Sequence, residues 1–182
     1  MPDFNIWSSF LKDEILIYPD TTNGIDLIEP EVKTSKVRIG DIPKDSFAIK
    51  LDACLRAYDI FRSNYNEAKM ADYAIISIYK DKIVVFVIEL KNSNGKKVSF
   101  KMIASKCLIY YIYDVIKSFV GEKLCTRKID IQYIAFYETN ISIDKRPTAP
   151  QKVKESKLPN GFWIIKNVKR FSFSKLLNIN EN

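Results

Sequence analysis

Apolar and polar positions alternate in blocks along this chain, and the densest apolar block lies between Asp72 and Lys91. Two runs rich in β-branched and aromatic residues, Ala74-Ile75-Ile76-Ser77-Ile78 and Ile83-Val84-Val85-Phe86-Val87-Ile88, flank the polar break Tyr79-Lys80-Asp81-Lys82. That pattern predicts two antiparallel strands and a tight connection. With Lys80 and Asp81 as a two-residue turn, Tyr79 faces Lys82 and, counting outward, Asp72 faces Glu89. Each strand is apolar at even and odd positions alike, so both faces must be covered and the pair belongs in the middle of a layered domain.

The rest of the chain supplies the layers. Residues 15–18, 25–28 and 37–39 read as short strands, broken by Pro19 and Asn23-Gly24. From Asp45 or Ser46 to about residue 63, Phe47, Leu51, Cys54, Leu55, Tyr58 and Phe61 recur at helical steps, and Asp45 after Pro43 suits an N-cap. A long helix is expected over residues 99–119, closed by Gly121. Its apolar centre is interrupted by Lys106 and bounded by Lys101, Asp114 and Lys117, which fits a buried helix and not a membrane span. A strand over 128–138 follows, and strand, helix, strand predicts a crossover to a parallel neighbour. Residues 144–161, with Pro147, Pro150, Pro159 and several lysines, read as a basic loop. A strand at 162–165 and a closing helix at 171–177 complete the chain. The expected class is α/β, a central mixed sheet flanked by helices, in one domain over residues 1–182 with its core at about 45–138.

Composition narrows the chemistry. Lys and Arg number 29 against 22 Asp and Glu, a net charge of +7 that favours polyanionic partners or simply keeps the protein soluble. Histidine is absent, which excludes Ser-His-Asp and Cys-His catalysis and leaves carboxylates or thiolates as metal ligands. Cys54, Cys107 and Cys125 lie far apart and form no Cys-x-x-Cys pair, arguing against zinc or a disulfide framework and for a reducing cytoplasm. Cys54 and Cys107 fall in apolar segments and are expected to pack. The first residues show no charged-then-apolar signal pattern.

Against that background the charges at the open end of the strand pair stand out. Glu89 and Lys91 share a face with Asp72, because side chains alternate along a strand. Directly opposed carboxylates repel. The three residues therefore form either a structural ion cluster or a site for a divalent cation. Asp52 and Asp59 fall on one side of the expected preceding helix, where Asp52 could instead pair with Arg56. Asp26, Glu29 and Glu31 form an acidic patch that reads as solvated strand ends.

An acidic residue opening one central strand, a short turn, then Glu89-Leu90-Lys91 closing the next, then a long helix, resembles the PD-(D/E)xK nuclease superfamily. The first motif is here Ala71-Asp72, without the proline. The resemblance covers roughly residues 47–138 and implies a restriction-endonuclease-like core. It implies that Asp72 and Glu89 bind Mg²⁺ or Mn²⁺, that Leu90 offers its carbonyl, and that Lys91 positions or activates the attacking water. Asp52, with Asp59 behind it, is the expected further acidic ligand. Lys106 and Tyr110 stand at the spacing where some members carry Gln and Tyr, and Tyr110 is expected to pack in the core instead.

The chemistry is consistent with those residue types. Mg²⁺ takes oxygen ligands and keeps several waters, so one or two carboxylates suffice. The ion acidifies its water and neutralises charge growing on a phosphate. Lys96, Lys97, Lys101, Lys152, Lys154, Lys157, Lys166, Lys169 and Arg170 could hold a nucleic-acid backbone. The expectation is a metal-dependent nuclease of the cytoplasm acting on nucleic acid, DNA ahead of RNA, in restriction, repair or defence, with no membrane partner, as a homodimer or a subunit of a larger complex. The alternatives are a non-catalytic nucleic-acid-binding or assembly module of the same fold, and an unrelated α/β protein with a structural ion cluster.

Overall fold

The hairpin anticipated at the centre of the sequence is the centre of the computed structural model. Strand β5 (Tyr73–Tyr79) pairs with β6 (Lys82–Lys91) antiparallel, with Tyr79 opposite Lys82 and Tyr73 opposite Ile88, the register set by a two-residue turn. Lys80 in that turn adopts a positive φ of 54°. The structure describes residues 2–28, 36–54, 69–91, 98–121, 127–137, 147–155 and 158–179.

Around the hairpin the remaining elements follow in chain order. Helix α1 (Pro2–Ser9) precedes β1 (Leu16–Ile17), β2 (Ile25–Ile28), β3 (Lys36–Gly40) and β4 (Ser46–Lys50). After the hairpin come α2 (Val98–Val120), β7 (Lys128–Tyr137), β8 (Gln151–Glu155), β9 (Leu158–Lys166), β10 (Arg170–Ser172) and α3 (Phe173–Leu177). Among the described residues a seven-stranded sheet runs β1-β4-β5-β6-β7-β9-β8. Its pairings from β1 to β6 are antiparallel, β6 to β7 and β7 to β9 are parallel, and β8 returns antiparallel at the edge. Helix α2 thus links two parallel neighbours, as the strand-helix-strand pattern predicts.

Alternation along the central strands builds two cores. Val85 and Val87 of β6, with Ala74 and Ile76 of β5, pack with Trp7 of α1 and Met102, Ile109 and Ile116 of α2. Phe86, Ile88 and Leu90 point the other way, onto Ile25, Leu27, Val37 and Ile39 of a three-stranded sheet β10-β3-β2 and onto Phe173 and Leu176 of α3. One face of the large sheet is therefore covered by long helical structure. The other is covered by a small sheet and a short helix, where the pattern alone predicts helices.

Several segments differ from the sequence expectation, among them residues 171–172, expected to open the closing helix and found in β10 beside β3. Residues 46–50, expected to open a helix, form β4 and pair with β5. Phe47, Ala48 and Ile49 are all fully buried, so apolar side chains face both layers. The four-residue step from Phe47 to Leu51 has this origin and not a helical face. Residues 55–63 of that expected helix, Asp59 included, lie outside the described residues. The expected basic loop contains the β8–β9 hairpin, with Val153 as the inward residue between Lys152 and Lys154. One apolar residue between two lysines is what an edge strand needs and is too weak a pattern to announce itself. Helix α1 is too short to leave a clear periodicity in the sequence.

Candidate metal centre at the end of the central hairpin

Asp72 lies one residue before β5, and three contacts fix its backbone and side chain. The Leu51 N–H donates to the Asp72 carbonyl at 3.0 Å, continuing the pairing with the β4 side. The Ala71 N–H donates to Ser105 Oγ of α2 at 2.8 Å, tying the segment to the helix layer. The Leu90 N–H donates to Asp72 Oδ2 at 2.6 Å, just beyond the last ladder pair, Tyr73 and Ile88. By alternation from Ala74 and Val87, Asp72 and Glu89 then point to the α2 side of the sheet.

Glu89 is fully buried and Asp72 is 7% exposed. Glu89 Oε1 lies 2.7 Å from Lys91 Nζ and accepts a 2.6 Å hydrogen bond from Lys101 Nζ in the first turn of α2. Lys101 Nζ also approaches Asp72 Oδ1 at 3.8 Å. One ammonium reaches both carboxylates, so those two oxygens are no farther apart than the two distances laid end to end. Oxygen ligands sit about 2.0–2.6 Å from Mg²⁺ or Ca²⁺, so a cation shared by both oxygens needs them closer together than that upper bound. Glu89 Oε2 is buried with no hydrogen-bond partner among the described residues. An unmet buried carboxylate oxygen is costly, and a coordinated cation is one of the few groups that satisfies it.

The electrostatics reflect this crowding. Burial first, and then the neighbouring Glu89 charge, push the Asp72 carboxyl up to about 7 against the opposing pull of the Leu90 N–H, Lys101 and Lys91. Tyr137, opposite Lys91 in the β6–β7 ladder, borders the same cluster. Burial raises its phenol, Lys91 opposes that shift and Glu89 adds to it.

Of the residues anticipated from sequence, Asp72, Glu89 and Lys91 are brought together. Leu90 contributes its N–H to Asp72 while its side chain packs in the opposite core. Asp52 sits exposed in the turn after β4. Among the described residues no three Asp, Glu or Cys side chains form a group able to hold a metal, so Asp52 does not join the pair. Its expected place depends on a helix that is a strand and turn here. Tyr110 is 40% exposed, a correction to its expected burial, and Lys106 Nζ lies 5.8 Å over its ring. Cys107 is exposed rather than packed, while Cys54 is half-buried against the core.

For Lys101 the sequence suggests only a contact to a nucleic-acid backbone. A sharper signal is present: it stands four residues before Ser105 on the buried stripe of α2, where a lysine needs an anionic partner. Elsewhere, Lys152 lies over the Trp163 ring at 5.5 Å, Lys154, Lys169 and Arg170 are exposed, and Lys166 is half-buried. Lys96, Lys97 and Lys157 lie outside the described residues. Among the described residues no helix is long and apolar enough to cross a membrane. No family model, curated protein or solved structure matches the chain.

Proposed function

We propose that this protein is a Mg²⁺- or Mn²⁺-dependent nuclease of the PD-(D/E)xK type that hydrolyses phosphodiester bonds, with DNA as the favoured substrate. The observation that carries this reading is the buried pair Asp72 and Glu89, gathered with Lys91 at one strand end and leaving Glu89 Oε2 without a partner. The order of elements also supports a restriction-endonuclease-like core: an antiparallel β4-β5-β6 meander, then α2, then β7 parallel to β6.

The donor set fits a hard divalent cation, because it is made of carboxylate oxygens in a chain without histidine. Asp72 and Glu89 would hold the ion, with the Leu90 carbonyl as a further donor. When bound, the ion supplies an acidified water and compensation for charge on the phosphate. Lys91 extends from the same strand end and is 26% exposed, so its ammonium can orient the attacking water or meet the developing negative charge. The β5–β6 hairpin and the Ala71–Ser105 contact keep these groups rigid, which favours a preorganised site. Net positive charge, with lysines along β8 and near β10, supplies sequence-independent attraction to phosphates.

A structural ion cluster is the second reading, drawn from the pairing of Glu89 with two lysines. The partnerless Oε2 weighs against it. The test is incubation with circular DNA, linear DNA and RNA, with and without Mg²⁺ or Mn²⁺, beside a folded Lys91→Ala variant. Cation-dependent cleavage lost in the variant supports the nuclease. Binding without turnover under every cation supports the non-catalytic module, and cleavage that survives Lys91→Ala overturns the assignment.

A further inference from the structure

Resting on the metal-centre reading, we propose that Lys101 is a tethered counter-ion for the Asp72–Glu89 pair, which a divalent cation displaces so that its ammonium turns to the substrate phosphate.

The helix sets where the Lys101 backbone stands, and the side chain reaches the carboxylates from there. It lies one turn before Ser105, and Ser105 Oγ is held by the Ala71 N–H beside Asp72. The first turn of α2 is thereby fixed above the open end of the hairpin. From there the Lys101 ammonium reaches Glu89 Oε1 at 2.6 Å and Asp72 Oδ1 at 3.8 Å. A position between two buried carboxylates is the position a shared cation would take.

Charge balance then favours an exchange. Ionised Asp72 and Glu89 with Lys91 and Lys101 make a neutral set. Adding a divalent cation leaves an excess of two positive charges. That excess is relieved when an ammonium leaves the carboxylates and an anion arrives. Lys101 suits the exchange because its side chain is 23% exposed and its flexible stem carries a compact, movable charge. A phosphodiester is the anion the proposed reaction brings. Cation binding and nucleic-acid binding are then coupled, each strengthening the other. In the absence of nucleic acid the cation binds weakly, because it must displace its own competitor.

The test is a calorimetric titration of the full chain with Mn²⁺ alone, without nucleic acid. Removing a charge-assisted competitor in Lys101→Met tightens Mn²⁺ binding about tenfold or more, whereas Lys101→Arg, which keeps the charge, stays within about threefold of the wild type. A Lys101 that merely braces the carboxylates gives the opposite sign: its loss weakens Mn²⁺ binding. Unchanged or weaker binding in Lys101→Met overturns the proposal and leaves the metal centre standing. Absence of Mn²⁺ binding in the wild type and both variants overturns the metal centre and the proposal together. Lys101→Gln gives the same comparison should the Met variant not fold, and the Mn²⁺-induced rise in Tm reads the same order.

Discussion

Burial and the charge of Glu89 hold the Asp72 carboxyl at about 7 in the metal-free protein, and this makes one residue a source of pH dependence. The folded state keeps a proton that the unfolded chain releases near the ordinary carboxylate value of about 4. The stability that this carboxyl contributes is therefore full below that value, falls as pH rises toward 7, and levels off above it, by on the order of a few kcal/mol in all. Denaturant unfolding in chelator should show the wild type losing stability relative to Asp72→Asn across this window. A difference independent of pH would contradict it. A divalent cation requires the ionised carboxylate, so its affinity should rise with pH through the same range. The gathering of Asp72, Glu89 and Lys91 at one strand end is legible in the sequence because alternation and a two-residue turn are geometric rules that leave little freedom. The contact of Lys101 with both carboxylates is hidden there because its partners lie across a polar segment, on the other side of a layer boundary that periodicity does not describe. Asp52 is misplaced for a related reason, since its assignment borrows the face of an expected helix.

Among the elements, the β5–β6 hairpin and α2 are legible nearly to the residue, while β4 mimics a helix. A strand buried on both faces shows apolar residues at every position, and some of them fall at helical spacing by accident. The β8–β9 hairpin illustrates the opposite difficulty, a strand whose exposed lysines hide it. Its geometry depends on Gly161, which has φ of 64° and whose missing Cβ would lie 2.2 Å from the Val153 carbonyl oxygen. Gly161→Ala should therefore destabilise the protein by about 2 kcal/mol or more, seen as a drop in Tm. Lys80→Gly, at the left-handed turn position of the central hairpin, should be neutral or raise stability by up to about 1 kcal/mol. A clear loss of stability in Lys80→Gly would mean that the turn is held by the Lys80 side chain, whose ammonium lies 5.3 Å over the Tyr79 ring.

For the molecule as a whole, the net charge of +7 is the long-range feature on which the proposed nucleic-acid binding rests. On that reading the surface attracts a polyanion through sequence-independent phosphate contacts. Binding of a labelled DNA duplex in chelator should weaken about tenfold or more between roughly 50 and 200 mM monovalent salt, as expected for a few phosphate contacts. Salt-insensitive binding would argue against a phosphate-tracking surface. A net positive charge would serve DNA and RNA alike, because both present the same phosphates.

The most direct measurement is the Mn²⁺ dependence of circular-DNA cleavage by the wild type and by Glu89→Gln, a substitution that keeps the side-chain volume and removes the charge. The nuclease reading predicts cleavage that saturates with Mn²⁺, stops in chelator, and falls about a hundredfold or more in the folded Glu89→Gln variant. Cleavage that persists in chelator or survives Glu89→Gln undiminished would contradict it.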